Sequence, residues 1–143
     1  MKRIFCVVFV LLLAVFTPST LTVHAEASTV TQGVVSPLFA NIAFLGPGLS
    51  IDSSGRASCY GVASLYSDSQ TVQLTVSLQK LSGTSWSTVQ SWTASGSGLA
   101  GVEIARDYYV VRGTYRVCNT ARVYSGAGTL LETASAYSSV VTY

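Results

Sequence analysis

The sequence predicts an all-β protein, a single immunoglobulin-like antiparallel β-sandwich of about seven strands, and three observations carry that prediction. Val72, Leu74, Val76 and Leu78 alternate with Gln73, Thr75, Ser77 and Gln79, the two-residue period of a half-buried strand. Ser82-Gly83-Thr84-Ser85 then breaks the run, and residues 86–92 read as the returning strand of a hairpin, with Gly83 free to take the positive φ of a tight turn. Elsewhere turn signals recur at the roughly 8–12-residue spacing of a sandwich, and no window shows a helical period with caps.

Met1-Lys2-Arg3, an apolar run over residues 4–16 and small residues up to Ala25 make a secretory leader. The expected cut after Ala25 leaves residues 26–143, enough for one domain. The apolar run is shorter than the roughly 20 residues that span a bilayer, so no membrane span is expected in the mature form. Removing the leader takes away Lys2, Arg3 and the single histidine, His24, so the formal +2 of the whole chain belongs to the leader. Six basic residues then face six acidic ones. A neutral total gives no electrostatic case for nucleic acid or an anionic membrane as partner.

Residues 26–48 read as an irregular lead-in with one edge strand, because Pro37, Gly46, Pro47 and Gly48 punctuate Phe39, Ile42 and Phe44, and proline is tolerated at sheet edges. The sandwich is expected over residues 49–143. Leu49-Ser50-Ile51 opens its first regular strand, and Asp52-Ser53-Ser54-Gly55 supplies a turn. Residues 56–66 follow with a small inward set, Ala57, Cys59, Gly61 and Ala63, and an outward Tyr60 and Tyr66. After the central hairpin, Ser95-Gly96-Ser97-Gly98 is a loop. Val102 and Ile104 alternate in the next strand, which residues 108–110 continue. Arg112-Gly113 turns the corner into a long strand over residues 114–124, whose outer face carries Arg116 and Arg122. Ser125-Gly126-Ala127-Gly128 returns it into a last strand over residues 130–143. Gly113-Thr114-Tyr115 before that long strand has the form of a tyrosine corner, where the phenol bonds back to nearby backbone.

The runs GLSIDSSGRASCYGVASLY, VSLQKLSGTSWSTVQSW and GTYRVCNTARVYSGAGTLLETASAYSSVVTY resemble a family of small secreted proteins, mainly of Gram-positive bacteria, known as a domain of unknown function. The resemblance covers most of residues 48–143. It implies an immunoglobulin-like sandwich outside the cell and brings no assigned activity or catalytic residue. It also implies a polar or basic residue at the position of Cys118.

Cys59 and Cys118 remain after cleavage, an even number in an oxidising compartment. Their spacing suits a disulfide between two sheets. Their phase opposes it, because Cys59 alternates with the inward set while Cys118 alternates with Arg116, Thr120 and Arg122; a bulge would be needed to shift one register. Unbonded, Cys118 is expected as an exposed thiol able to pair between molecules.

Catalysis finds little material. Without histidine no Ser-His-Asp or Cys-His arrangement exists, and nothing in the sequence gathers Asp52, Asp68, Glu103, Asp107 and Glu132 into an acid–base pair. No metal motif or phosphate loop is present, so no cofactor is expected. Trp86 and Trp92 remain. With an even-length turn at Gly83-Thr84, Leu78 faces Val89 and Thr75 faces Trp92; Trp86, Thr88, Gln90 and Trp92 then share an outer face, a candidate binding face for sugar rings or a protein. With an odd-length turn both indoles belong to the core. The resulting expectation is a secreted non-enzymatic binding module for a cell-surface glycan or protein. Its alternative is a self-assembling secreted protein whose sheet edges or Cys118 make homo-oligomers.

Overall fold

The computed structural model describes residues 39–143; the expected leader and the part of the expected lead-in up to residue 38 lie outside the described residues. Eight strands follow one another: β1 (Ile42–Ile51), β2 (Arg56–Leu65), β3 (Gln70–Ser82), β4 (Ser85–Ser97), β5 (Val102–Tyr109), β6 (Thr114–Ser125), β7 (Leu130–Tyr137) and β8 (Val141–Thr142). The only helical element among the described residues is a three-residue 3₁₀ turn, Gly98–Ala100. One sheet has the order β1-β2-β5 and the other β4-β3-β6-β7, with β8 also pairing β6. All pairings are antiparallel. Two such sheets face to face, with the chain crossing between them after β2, β4 and β5, make an immunoglobulin-like sandwich.

Alternation builds the interior as the sequence predicts. Val72, Leu74, Val76 and Leu78 of β3 are fully buried, facing Ala57, Cys59, Ala63 and Leu65 of β2. Each such β3 side chain contributes on the order of 1.5–3 kcal/mol on leaving water. The small β2 set brings the sheets close: a methyl group on Gly61 would overlap Val76 Cγ2 and lie 2.8 Å from Asn119 Nδ2. Asn119 is the one fully buried polar side chain among the described residues, in an inward position of β6. Its Nδ2 donates to the Gly46 carbonyl of β1 (3.0 Å), which ties the two sheets together.

Three expectations about element limits are corrected. The first strand begins at Ile42 and runs through Gly46-Pro47-Gly48, so residues 42–48 belong to the sandwich and not to an irregular lead-in. Pro47 is accommodated because β1 is an edge strand, paired only with β2, and an edge strand has one side that owes the ladder no N–H. Glu132 of β7 fixes the entry to this strand, accepting from the backbone N–H groups of Ala40 (3.2 Å) and Asn41 (2.7 Å) and from Asn41 Nδ2 (3.1 Å). The second correction concerns Ser95-Gly96-Ser97, which belongs to β4 and not to a loop. Third, the last segment is two strands. The Ser138 hydroxyl accepts the Val117 N–H (2.9 Å) while the Ser138 N–H donates to the Val117 carbonyl (2.9 Å). That side chain replaces a backbone partner, so the chain leaves the sheet at Ser139-Val140 and rejoins opposite Tyr115 at Val141.

Turn chemistry follows the sequence. Asp52 Oδ1 accepts from the Ser54 hydroxyl (2.6 Å), the Ser54 N–H (2.8 Å) and the Arg56 N–H (3.1 Å), and these bonds hold its carboxyl below the ordinary range. The corner before β6 is a tyrosine corner: the Tyr115 phenol, on a buried ring, donates to the Val111 carbonyl at 2.7 Å.

Candidate functional site

The central hairpin closes through the two-residue loop Gly83-Thr84, with Ser82 opposite Ser85 and Gly83 at φ 61°. The pairing expected for an even loop holds from there to Gln79 opposite Thr88. Val89 is then an extra residue, a β-bulge that leaves Leu78 opposite Gln90 and Thr75 opposite Thr93. The bulge reverses the phase of the rest of β4. Trp86 and Thr88 point outward with Gln79, whereas Gln90 and Trp92 take the inward phase opposite Leu78 and Val76. The grouping of Trp86, Thr88, Gln90 and Trp92 on one face is therefore corrected. Trp92 is half-buried and packs against the core; Gln90 lies exposed at the edge. Physically, the bulge lets one indole cover the open flank of the interior while the other stays outside.

The outer face that Trp86 keeps is completed by residues far away in sequence. The Arg116 guanidinium of β6 sits 4.2 Å from the Trp86 ring centroid and 4.2 Å from the Tyr137 ring centroid of β7. Its Nε donates to Gln79 Oε1 at 2.8 Å. A delocalised cation between two aromatic faces gains from both ring quadrupoles. Tyr137 remains 54% exposed, so this stack forms a ledge on the sheet. Thr93, Thr75, Thr120 and Ser135 stand side by side across β4, β3, β6 and β7, four residues along β6 from Arg116. Thr75 and Thr93 hydroxyls are 3.0 Å apart, as are those of Thr120 and Ser135. The face is thus a hydroxyl-bearing surface with an aromatic–cation ledge near one end.

Both cysteines are free thiols. Cys59 points into the interior from β2, and Cys118 lies on the outer face of β6, between Ser77 and Tyr137 in register. The outward phase read from the sequence is right, but the exposed thiol is corrected: Cys118 is only 8% exposed, with Thr120 Oγ1 3.9 Å from its sulfur. Burial, and after it the Asp107 charge, push the Cys59 thiol up to about 11, so it keeps its proton at neutral pH and is a poor nucleophile.

Four of the five described carboxylates are engaged elsewhere, and the fifth, Glu103, lies on β5 of the other sheet. Asp52 and Asp107 flank Arg56 at 3.7 and 3.8 Å, and Asp107 also accepts the Ser58 hydroxyl (2.7 Å). Asp68 accepts the Leu99 N–H (3.0 Å), and Glu132 holds the start of β1. Among the described residues no group of three or more His, Cys, Asp or Glu side chains is placed to hold a metal ion. Tyr60 is 38% exposed on the outer face of the three-stranded sheet, and Tyr66, 64% exposed, ends just beyond β2.

No protein-family model matches this chain, and no curated protein matches it either. Arg116 and Tyr137 are the site residues that sequence reasoning missed. Trp86, Arg116 and Tyr137 converge only through the strand order β4-β3-β6-β7, and their one signal in the sequence was the outward phase of Trp86 and Arg116.

Proposed function

We propose that this chain is a secreted, non-enzymatic recognition module that takes an extracellular glycan on the outer face of its five-stranded sheet. The observation that carries the reading is the Trp86–Arg116–Tyr137 stack beside a row of cross-strand hydroxyls. Rings held rigid by a cation offer apolar faces for stacking at low entropic cost, and neighbouring hydroxyls both donate and accept. The test is retention on insoluble cell-wall polysaccharide and on a glycan array, comparing the wild type with Trp86→Ala and Tyr137→Ala. Loss of at least tenfold in retention, with the far-ultraviolet circular dichroism of the β-sheets unchanged, is expected. Equal retention of all three proteins would sink the reading.

A second reading, self-assembly, rests on the edge strand β4. Three of the four sheet edges are guarded: β1 by Pro47 and an irregularity after Ile42, β5 by Glu103, Arg106 and Asp107, and β7 by Glu132. β4 runs for 13 residues with no charge and no proline, interrupted only by the Val89 bulge, which leaves it the edge least protected against pairing with a second copy. A concentration series by sedimentation velocity tests this. Dimers lost in Thr93→Lys support it, and a monomer at millimolar concentration excludes it.

A further inference from the structure

The charges of the described residues are not spread evenly over the two sheets. The outer face of β4-β3-β6-β7 bears two cations, Arg116 and Arg122, and none of the five described carboxylates. Asp52, Glu103 and Asp107 lie on the side of the three-stranded sheet, Asp68 is in the turn before β3, and Glu132 takes the inward phase opposite Val123. Arg116 uses only Nε, toward Gln79, and its Nη groups make no hydrogen bond among the described residues; Arg122 is exposed and forms no ion pair among them. The chain's near-neutral total conceals a face whose only charges among the described residues are positive.

From this asymmetry we infer that the glycan bound on this face is an anionic polysaccharide, with carboxylate or phosphate groups repeating along it; the inference rests on the sheet-face reading above. Arg116 and Arg122 are six residues apart on one strand, a separation of roughly 20 Å at the rise of an extended chain. No single small anion reaches both, whereas a polymer laid along β6 meets both. Between them the Thr75–Thr120–Ser135 row supplies hydroxyl partners for uncharged sugar positions. The guanidinium fork suits either a carboxylate or a phosphate, so the source of charge is left to the experiment.

Affinity electrophoresis with the mature chain decides it. The probes are polygalacturonate, its methyl ester (the same backbone without charge), phosphomannan and neutral mannan. Retardation by polygalacturonate or phosphomannan is expected, at least tenfold stronger than by the neutral counterpart and weakening as salt rises; which acid polymer retards the protein names the anion. Arg122→Gln is expected to weaken binding to the acid polymer about tenfold and to leave thermal stability unchanged. Equal binding of charged and neutral forms, with Trp86→Ala still abolishing both, overturns the anionic inference and leaves the sheet-face reading intact. No retardation by any probe, together with Trp86-independent behaviour on the glycan array, overturns both.

Discussion

Removing the guanidinium of Arg116 is the perturbation whose consequence is most directly calculable. It makes two ring contacts, each at 4.2 Å, and one charge-assisted hydrogen bond of 2.8 Å to Gln79. Cation–π contacts at partly exposed sites are worth about 0.5–1 kcal/mol each, and the hydrogen bond adds about 1 kcal/mol net. Arg116→Ala is therefore expected to cost about 2–3 kcal/mol, read by urea denaturation, and to lower the thermal midpoint by about 10 °C for a domain of this size. Arg116→Lys keeps the charge but not the planar face, and less than half of the loss should return. Double-mutant cycles with Trp86→Ala and with Tyr137→Ala should each give a coupling of about 0.5–1 kcal/mol. Tyr137→Ala should in addition open Cys118 to a thiol reagent, since Tyr137 is its register neighbour. Couplings indistinguishable from zero, with Cys118 still protected, would refute the stack as an energetic unit.

Three further outcomes are expected. Gly61→Ala forces a methyl group onto Val76 Cγ2 and the Asn119 amide, so it should cost about 2–4 kcal/mol by overpacking and a strained buried hydrogen bond, and Val76→Ala in the same chain should return part of it. Tyr115→Phe removes the 2.7 Å bond to the Val111 carbonyl and should lower stability by about 1 kcal/mol in the same denaturation assay without altering ligand binding. Because the folded state keeps the Cys59 proton up to about 11 while the unfolded thiol loses it near 9, stability should fall as pH rises through that window. The decline amounts to about 2–3 kcal/mol at its end; it should be absent in Cys59→Ala and so appear in full in the difference curve between the two proteins, whose acid-side profiles should coincide.

The fold was legible in the sequence because two-residue alternation is a local property. Val72 to Leu78 and Ala57 to Leu65 declare their inward sides with no knowledge of partners, and Gly113-Thr114-Tyr115 declares its corner. What escaped depends on register. Nothing around Val89 distinguishes a bulge from regular strand, yet that one residue sends Trp86 and Trp92 to opposite faces. Proline at position 47 suggested a break, but its consequence depends on whether β1 has one neighbour or two. Asn119 carried the inward phase without an apolar side chain, and its amide is explained only by the Gly46 carbonyl brought over from the other sheet. The site itself was half legible: outward Trp86 and outward Arg116 were readable, whereas their meeting with Tyr137, and the absence of acids around them, follow from the strand order.

The measurement that bears most directly on the proposed recognition surface is a map of backbone amide shifts by nuclear magnetic resonance as a soluble acidic polysaccharide is titrated into residues 26–143. Perturbations should cluster on β4, β3, β6 and β7 around Trp86, Arg116, Thr120 and Tyr137. Shifts concentrated instead on β1, β2 and β5 around Tyr60 and Glu103 would contradict the assignment of the binding face.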